Sequence, residues 1–390
     1  MDDFELIKRG TADVITEEEL KEKLKEKRPL RVKFGIDPTA PEIHLGLAVP
    51  LRKLRQLQDL GHTGVLIVGN FTAKIGDPSG VSKTRPVLTD EEIKNNMARY
   101  REDIFEILLP ERTEFRYNSE WCEPLSSTDV IKLTQKVTLA RIIERDDFEK
   151  RLRENNPISL HELLYPVFQA YDSVFIDADI ELGGTDQTFN FLMGRELQRE
   201  FGKTPQVCIT MPLLEGLDGV RKMSKSYKNY ISIKDPPDEI FGKIMSIPDA
   251  IVMKYYELCT DLSPEKIEKI EERLASGVNP RDIKAELARE IVRMYHSEKA
   301  AIGAEGKFER VFRERGIPED IGSYTLEGKM WIVRLLQDVG FASTGGEARK
   351  LITQGAVKID GEVISDVNYE VDRGGVLKVG KRRFIKLVFS

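Results

Sequence analysis

Between residues 30 and 120, short apolar runs alternate with stretches whose apolar residues recur every three or four positions. That is the pattern of strand–helix units around a parallel sheet. Leu30–Ile36 predicts a strand, and Asp37-Pro38-Thr39-Ala40-Pro41 a turn. Leu51, Leu54, Leu57 and Leu60 mark one face of a helix that Gly61 closes. Gly64–Val68 predicts a second strand, followed by a glycine-bearing loop at Ile75–Gly80. Thr89 with Glu92 makes a capping box for a helix running to about Leu109, and Glu114–Tyr117 reads as a short strand.

Asp129–Arg153 and Ser159–Phe175 read as helix, and Asp179–Leu182 as a strand entering the Gly183-Gly184 turn. Asp186–Phe201 returns to helix, Val207–Met211 to strand, and Glu215–Asn229 is a polar loop. Pro237–Gly316 is a run of amphipathic helices, and Glu319–Glu327 reads as a linker. Beyond it, Ser343 is placed to cap a short helix ending at Gly355. Val357–Ile359 and Glu362–Ile364 flank Asp360-Gly361, a strong hairpin signal, and Val376–Val379 with Arg382–Val388 make a second hairpin. The chain therefore divides into an α/β part at 1–230, a helical part at 231–318, a linker at 319–327 and a small α+β module at 328–390.

A length of 390 residues suits two or three domains, and 40% hydrophobic residues supply their cores. The longest apolar runs, such as Val65–Val68, are far too short for a membrane-spanning helix. The acidic start, Met1-Asp2-Asp3-Phe4-Glu5, lacks the apolar region of a secretory signal. Cys122, Cys208 and Cys259 are widely separated and odd in number, which argues against a disulfide framework or a zinc cluster. A cytoplasmic, multidomain protein is the expectation. The net charge of −6 is unevenly spread: residues 328–390 carry 11 Lys and Arg against 7 Asp and Glu. A basic module on an acidic body suits an anionic partner such as nucleic acid.

Three elements carry chemistry. His44-Leu45-Gly46-Leu47 precedes Pro50, so a helix starts within a few residues of Gly46 and His44 lies at its N-terminus. Backbone N–H groups there favour phosphate, and Gly46 admits a nucleotide close to the backbone; a lone histidine at such a turn is, in itself, equally a cap. Lys222-Met223-Ser224-Lys225-Ser226 puts two lysines three apart in a loop, suited to a triphosphate or, more blandly, to solvent. Gly183-Gly184-Thr185-Asp186-Gln187 is a strand-to-helix turn with an acid and an amide, suited to ribose hydroxyls or an amino acid. Gly76–Thr84 lacks the spacing of a P-loop.

The His-Leu-Gly element and the Lys-Met-Ser-Lys-Ser element, about 180 residues apart, resemble the two signatures of class I aminoacyl-tRNA synthetases. Within that class, Lys33-Phe34-Gly35-Ile36-Asp37-Pro38-Thr39, the loop Ile75–Gly80, Tyr165–Asp172 and Gly183–Gln187 resemble bacterial tyrosyl-tRNA synthetases. The tail resembles the S-four-type RNA-binding domain that ends those enzymes, so the resemblance covers essentially the whole chain. It implies a Rossmann-like nucleotide-binding catalytic domain with an inserted dimerisation region at about 120–180, then a helical domain and the RNA-binding domain. It further implies a homodimer acting on tyrosine, ATP with Mg²⁺, and the tyrosine tRNA, with no tightly bound cofactor.

Site residues follow from the matching positions. Tyr165, Gln169 and Asp77 match those that hold the tyrosine ammonium, and Asp172 the one that bonds the phenol hydroxyl. Spacings of four and three put Tyr165, Gln169 and Asp172 on one face of a helix. Asp37 and Gln187 resemble further tyrosine contacts. Thr39 and His44 match contacts to the γ-phosphate region, and Lys222 and Lys225 the catalytic lysines. Gly46, Leu47, Gly184, Asp186 and Ser224 match the ATP site, with Arg85 in a phosphate loop. Arg349, Lys350 and Lys358 fall on the helix and hairpin that the resemblance sets against RNA.

Two positions depart from the pattern. Lys33 stands where one branch of the family has a tyrosine beside the substrate hydroxyl, and Leu47 where the first signature normally has histidine. Two other readings compete. A tryptophanyl-tRNA synthetase would have to bury Asp172 beside an indole without a matching polar group. A catalytically dead, RNA-binding paralogue draws its support from Leu47.

Overall fold

The computed structural model describes residues 2–36, 42–76, 89–310, 321–360, 362–380 and 383–389. Asp37, Thr39, Asp77 and Arg85, four of the expected site residues, lie outside the described residues. The chain forms two compact units, Met1–Ala301 and Ile302–Ser390.

The first unit is built on a six-stranded sheet: β1 Asp13–Ile15, β2 Arg31–Ile36, β3 Thr63–Val68, β4 Thr113–Tyr117, β5 Ile180–Gly184 and β6 Val207–Met211. Their order across the sheet is β1-β6-β5-β2-β3-β4. All pairs are parallel except β1 with β6, where Asp13, Val14 and Ile15 oppose Thr210, Ile209 and Cys208. The run Thr63–Val68 is buried at every position after the first, as a central parallel strand covered on both faces must be. Between β2 and β3 the helix Leu45–Asp59 buries Leu51, Leu54 and Leu57 completely, and Gly61 follows it at φ +96°. Pro50 sits six residues into this helix, where its missing N–H leaves the Gly46 carbonyl without a helical donor.

Several expectations need correction. Residues 129–153 are not one helix but three, Ser127–Thr134, Leu139–Ile143 and Asp146–Arg153, with Ser126 and Thr138 capping the first two. The helix after Thr89 ends at Ile104 rather than Leu109. Residue 230 is not a break in compactness. Leu45 N–H donates to the Ile231 carbonyl at 2.9 Å and Ile233 N–H to the Ile43 carbonyl at 3.1 Å. Helix Val252–Cys259 packs on helix Leu45–Asp59, and Pro237–Ser246 on Pro280–Tyr295, so the helical part as far as Ala301 belongs to the first unit.

In the second unit five strands run in the order Glu362–Val363, Val357–Ile359, Gly375–Val379, Arg383–Phe389 and Ser323–Leu326. Ser323–Leu326 therefore belongs to the sheet, parallel to Arg383–Phe389, and is no linker. Helices Ile332–Asp338 and Gly345–Thr353 cover one face, burying Ile332, Leu335, Leu336 and Ile352. Thr344, not Ser343, caps the second of them, accepting from Glu347 N–H at 3.1 Å, while Ser343 N–H donates to the Glu347 carboxylate at 2.8 Å.

Candidate active site

Strand order reverses between β2 and β5, the point at which open parallel sheets leave a crevice beyond their carboxyl ends. A cavity of about 330 Å³ occupies it, with Phe34, Gly35 and Ile36 of β2 and Leu182–Gly184 of β5 in its walls. His44, Gly46, Leu47, Lys222 and Ser224 line the same cavity as Tyr165, Gln169 and Asp172, and as Gly184, Asp186 and Gln187. The described parts of all three sequence elements thus converge, with Lys225 the exception: it is not among the lining residues, and its ammonium lies 3.5 Å from Glu42.

His44 caps its helix. Its Nδ1 accepts from the Leu47 N–H at 3.2 Å, which leaves Nε2 to carry the proton of the neutral ring. Burial, helped by the charge of Lys225, holds its pKa down to about 4, so it is an uncharged donor at neutral pH. The second element packs directly on the first. Gly46 N–H donates to the Met223 sulfur at 3.3 Å, and a Cβ on Gly46 would come within 3.2 Å of both His44 and Met223. Leu47 is half-buried on the cavity wall and is not part of the core.

The lysine loop is held from behind by residues that sequence reasoning did not single out. Asn229 is 4% exposed; its Oδ1 accepts from Ser224 N–H at 2.9 Å, and its amide donates to the carbonyls of Arg221 and Lys222, each at 3.3 Å. Asp218 accepts from the backbone N–H groups of Val220 and Arg221, which hold its carboxyl down to about 2. An asparagine and an aspartate bracketing a glycine-bearing turn are a local signal for this pinning. Lys222 Nζ rests on Asp186 Oδ2.

The helix Tyr165–Phe175 presents Tyr165, Gln169 and Asp172 to the cavity, as their spacing predicts. Gln169 Oε1 is buried with no hydrogen-bond partner. Asp172 accepts from the Trp121 indole N–H at 2.8 Å, and the side chain of Asn118 also favours its charged form. Burial nonetheless pushes its carboxyl up to about 7, with Lys33 the main opposing charge. Trp121 and Asn118 are further residues that the sequence did not reveal. On the opposite wall, space demands glycine: a Cβ on Gly183 would meet Phe191 at 2.7 Å, and one on Gly184 would meet Asp186 at 2.7 Å.

A cavity that joins the polar set Tyr165, Gln169 and Asp172 to a helix N-terminus and Lys222 can bring a small zwitterion against a nucleotide. Comparison with known proteins agrees. Residues 25–313 match the family model for tRNA synthetases class I (W and Y), and residues 330–377 that for the S4 domain. A tyrosine–tRNA ligase of Thermotoga maritima is 51% identical over 385 residues, covering 98% of this chain and 96% of that one. One of Francisella tularensis is 51% identical over 389 residues, covering 99% and 98%. Among solved structures, the tyrosyl-tRNA synthetase of Archaeoglobus fulgidus complexed with L-tyrosine superposes with a TM-score of 0.63 at 27% identity, covering 78% of this chain and 98% of that one. The chain belongs to the bacterial class I tyrosyl-tRNA synthetases, ligases that join tyrosine to its tRNA, and ends in an S4 domain.

Proposed function

We propose that the cavity between β2 and β5 holds tyrosine and ATP side by side and forms tyrosyl-adenylate from them. The observation that carries this reading is the buried, unpartnered Oε1 of Gln169, an acceptor inside the cavity that suits an ammonium. Tyr165 and Asp77 complete the ammonium site, Asp172 takes the phenol hydroxyl, and Asp37 and Gln187 take the remaining polar contacts. Gly184 at the end of β5 and Asp186 receive the adenosine with Gly46, Leu47 and Ser224, and His44 and Lys222 face the phosphates; Thr39, Arg85 and Lys225 are assigned to the phosphates by the family resemblance alone.

A tyrosine carboxylate oxygen forms a bond to the α-phosphorus, and the bond from that phosphorus to the bridging oxygen breaks, releasing pyrophosphate. The adenylate then passes its tyrosyl group to the terminal adenosine of the tRNA. The protein supplies position and charge rather than a covalent intermediate. Neutral His44 donates from Nε2, and the lysines balance the negative charge that grows on the leaving pyrophosphate. Mg²⁺ accompanies ATP. It would enter bound to the nucleotide's phosphates. Pyrophosphate exchange measured with each amino acid in turn tests the reading: exchange with tyrosine alone is expected, and exchange with tryptophan, or with none, overturns it.

We also read the protein as a cytoplasmic homodimer that grips RNA with its tail. Ile131, Leu139, Leu152 and Leu160 are 48–77% exposed in the region 120–180, which supports pairing through that region. Sedimentation as a monomer at micromolar concentration would contradict it. Among the described residues no helix is long and apolar enough to cross a membrane, and all three cysteines are free and buried, which suits a reducing compartment. In the tail, Arg349 and Lys350 are exposed on one helix, with Arg349 above the Trp331 ring. Lys358 stands directly opposite Lys378, in a row that runs from Val363 to Phe384. Like charges paired across strands repel, and a phosphate backbone relieves them.

A further inference from the structure

Beneath the proposed tyrosine site lies an ion pair that no role above uses. Lys33 on β2 is 0% exposed and Glu181 on β5 is 1% exposed, and they meet at 2.7 Å. The Lys33 ammonium also donates to the Gln169 carbonyl and to Ser173 Oγ, each at 2.8 Å. Its three N–H groups therefore have three acceptors, and none remains for a substrate. Glu181 in turn accepts from Ser173 Oγ at 3.3 Å and from the Gln206 amide. The helix Thr188–Glu200 closes over this network at Gly194, where a Cβ would lie 2.6 Å from Gln206 and 3.3 Å from Glu181.

Fully buried charge pairs cost desolvation and rarely repay it in stability, so their retention needs another reason. The location gives one. Lys33 grips the backbone of Gln169 and the side chain of Ser173, the residues that begin and immediately follow the Gln169–Asp172 turn. The charged and polar groups facing Asp172 are Lys33 from β2, Glu181 from β5, Cys122 and the Trp121 indole from helix Ser119–Cys122, and Asn118 just before it. Among the described residues, Lys33 is the one cation of this set.

We propose that Lys33, locked by Glu181, is a positioning residue for substrate choice: it fixes the Gln169–Ser173 turn and supplies the cation that keeps Asp172 an acceptor for a phenol hydroxyl, without touching the substrate. A carboxylate accepts that hydrogen bond more strongly than a protonated carboxyl can take part in it. This inference rests on the assignment of Asp172 to the hydroxyl.

The test is pyrophosphate exchange by the full chain, from pH 5.5 to 8.5, with tyrosine and with phenylalanine. Wild type should lose kcat/KM for tyrosine as pH falls through about 7, while the phenylalanine profile stays flat in that range. Lys33→Met leaves a buried carboxylate unpaired and can fail to fold, so Lys33→Met/Glu181→Gln, which removes both charges, decides the matter. Lys33 acts on Asp172 more strongly than Glu181 does, so the tyrosine limb should move up by at least half a pH unit, cutting the preference for tyrosine at pH 7 about twofold or more. KM for ATP should stay within twofold. A smaller shift in the folded double variant, or equal movement of both substrate profiles, overturns the proposal. Asp172→Asn, run alongside, separates the two ideas: if it keeps the tyrosine preference, the assignment of Asp172 itself fails.

Discussion

Lys222 Nζ lies 2.8 Å from Asp186 Oδ2, so the first lysine of the loop is held by the very acid we assign to the ribose. The side chains are 36% and 27% exposed, and a pair this wet is worth no more than about 1 kcal/mol. An arriving nucleotide can therefore part them readily, taking Asp186 with its sugar and Lys222 with its phosphates.

Asp186→Ala should separate binding from stability. It removes both the resting partner of Lys222 and the ribose acceptor. KM for ATP should rise about tenfold or more, as for a lost charge-assisted bond of about 1.5–3 kcal/mol. KM for tyrosine and the melting temperature should stay close to wild type. Pyrophosphate exchange at varied ATP and a thermal melt measure both.

Leu47 faces the cavity, so its side chain can be exchanged without opening the core. Its backbone N–H already sets the His44 tautomer, and that bond survives any side chain. Leu47→His adds a donor to the nucleotide wall. A bond made mainly in the transition state is worth about 1–3 kcal/mol, hence up to roughly 5- to 150-fold in single-turnover adenylate formation. Leu47→Ala should leave that rate nearly unchanged. A harmful Leu47→His would mean that another donor holds the place.

Asn229→Ala should loosen the lysine loop without touching substrate. Ser224 N–H and the carbonyls of Arg221 and Lys222 lose their side-chain partner. The expected result is a fall of about tenfold in the rate of adenylate formation, with KM for tyrosine unchanged and stability lower by about 1–3 kcal/mol. Rapid quench and denaturant unfolding report the two effects separately.

The tail offers a variant whose effects on stability and on binding have opposite signs. Lys378→Ala removes the repulsion with Lys358 and should stabilise the free S4 domain by about 0.2–1 kcal/mol. The same change should weaken tRNA binding and lower its salt slope by about one unit. A chain ending at Gly322 loses the whole five-stranded sheet, since Ser323 is its next residue. It should still exchange pyrophosphate but fail to charge tRNA.

What could be read from the sequence was what is encoded locally. The Thr89–Glu92 box, the His44 cap and the pairing of Val357–Ile359 with Glu362–Val363 each lie within a few residues and stand where expected. Ser126 with Asp129 was just as local a signal, and it marks the helix start at Ser127. Pairing across the chain was not legible. Asp13–Ile15 is a strand only because Cys208–Thr210 lies beside it, and Ser323–Leu326 only because Arg383–Phe389 does. Polar Lys33 and Glu181 read as ordinary positions along strands; that they meet in the interior depends on the β2–β5 register, in which Lys33 opposes Glu181 directly. Trp121 escaped for the same reason, since its bond to Asp172 spans 51 residues.

The hydrogen bonds that join Leu45 to Ile231 and Ile43 to Ile233 set a timetable for the growing chain. The helix behind His44 can form early, but the segment beside it leaves the ribosome only after almost 190 further residues. The same delay separates β1 from its partner β6. Loop closure over such spans is entropically costly and slow, so the nucleotide half of the site assembles among the last parts of its unit. Until then the first unit carries an unpaired sheet edge during synthesis, open to wrong pairing with other chains.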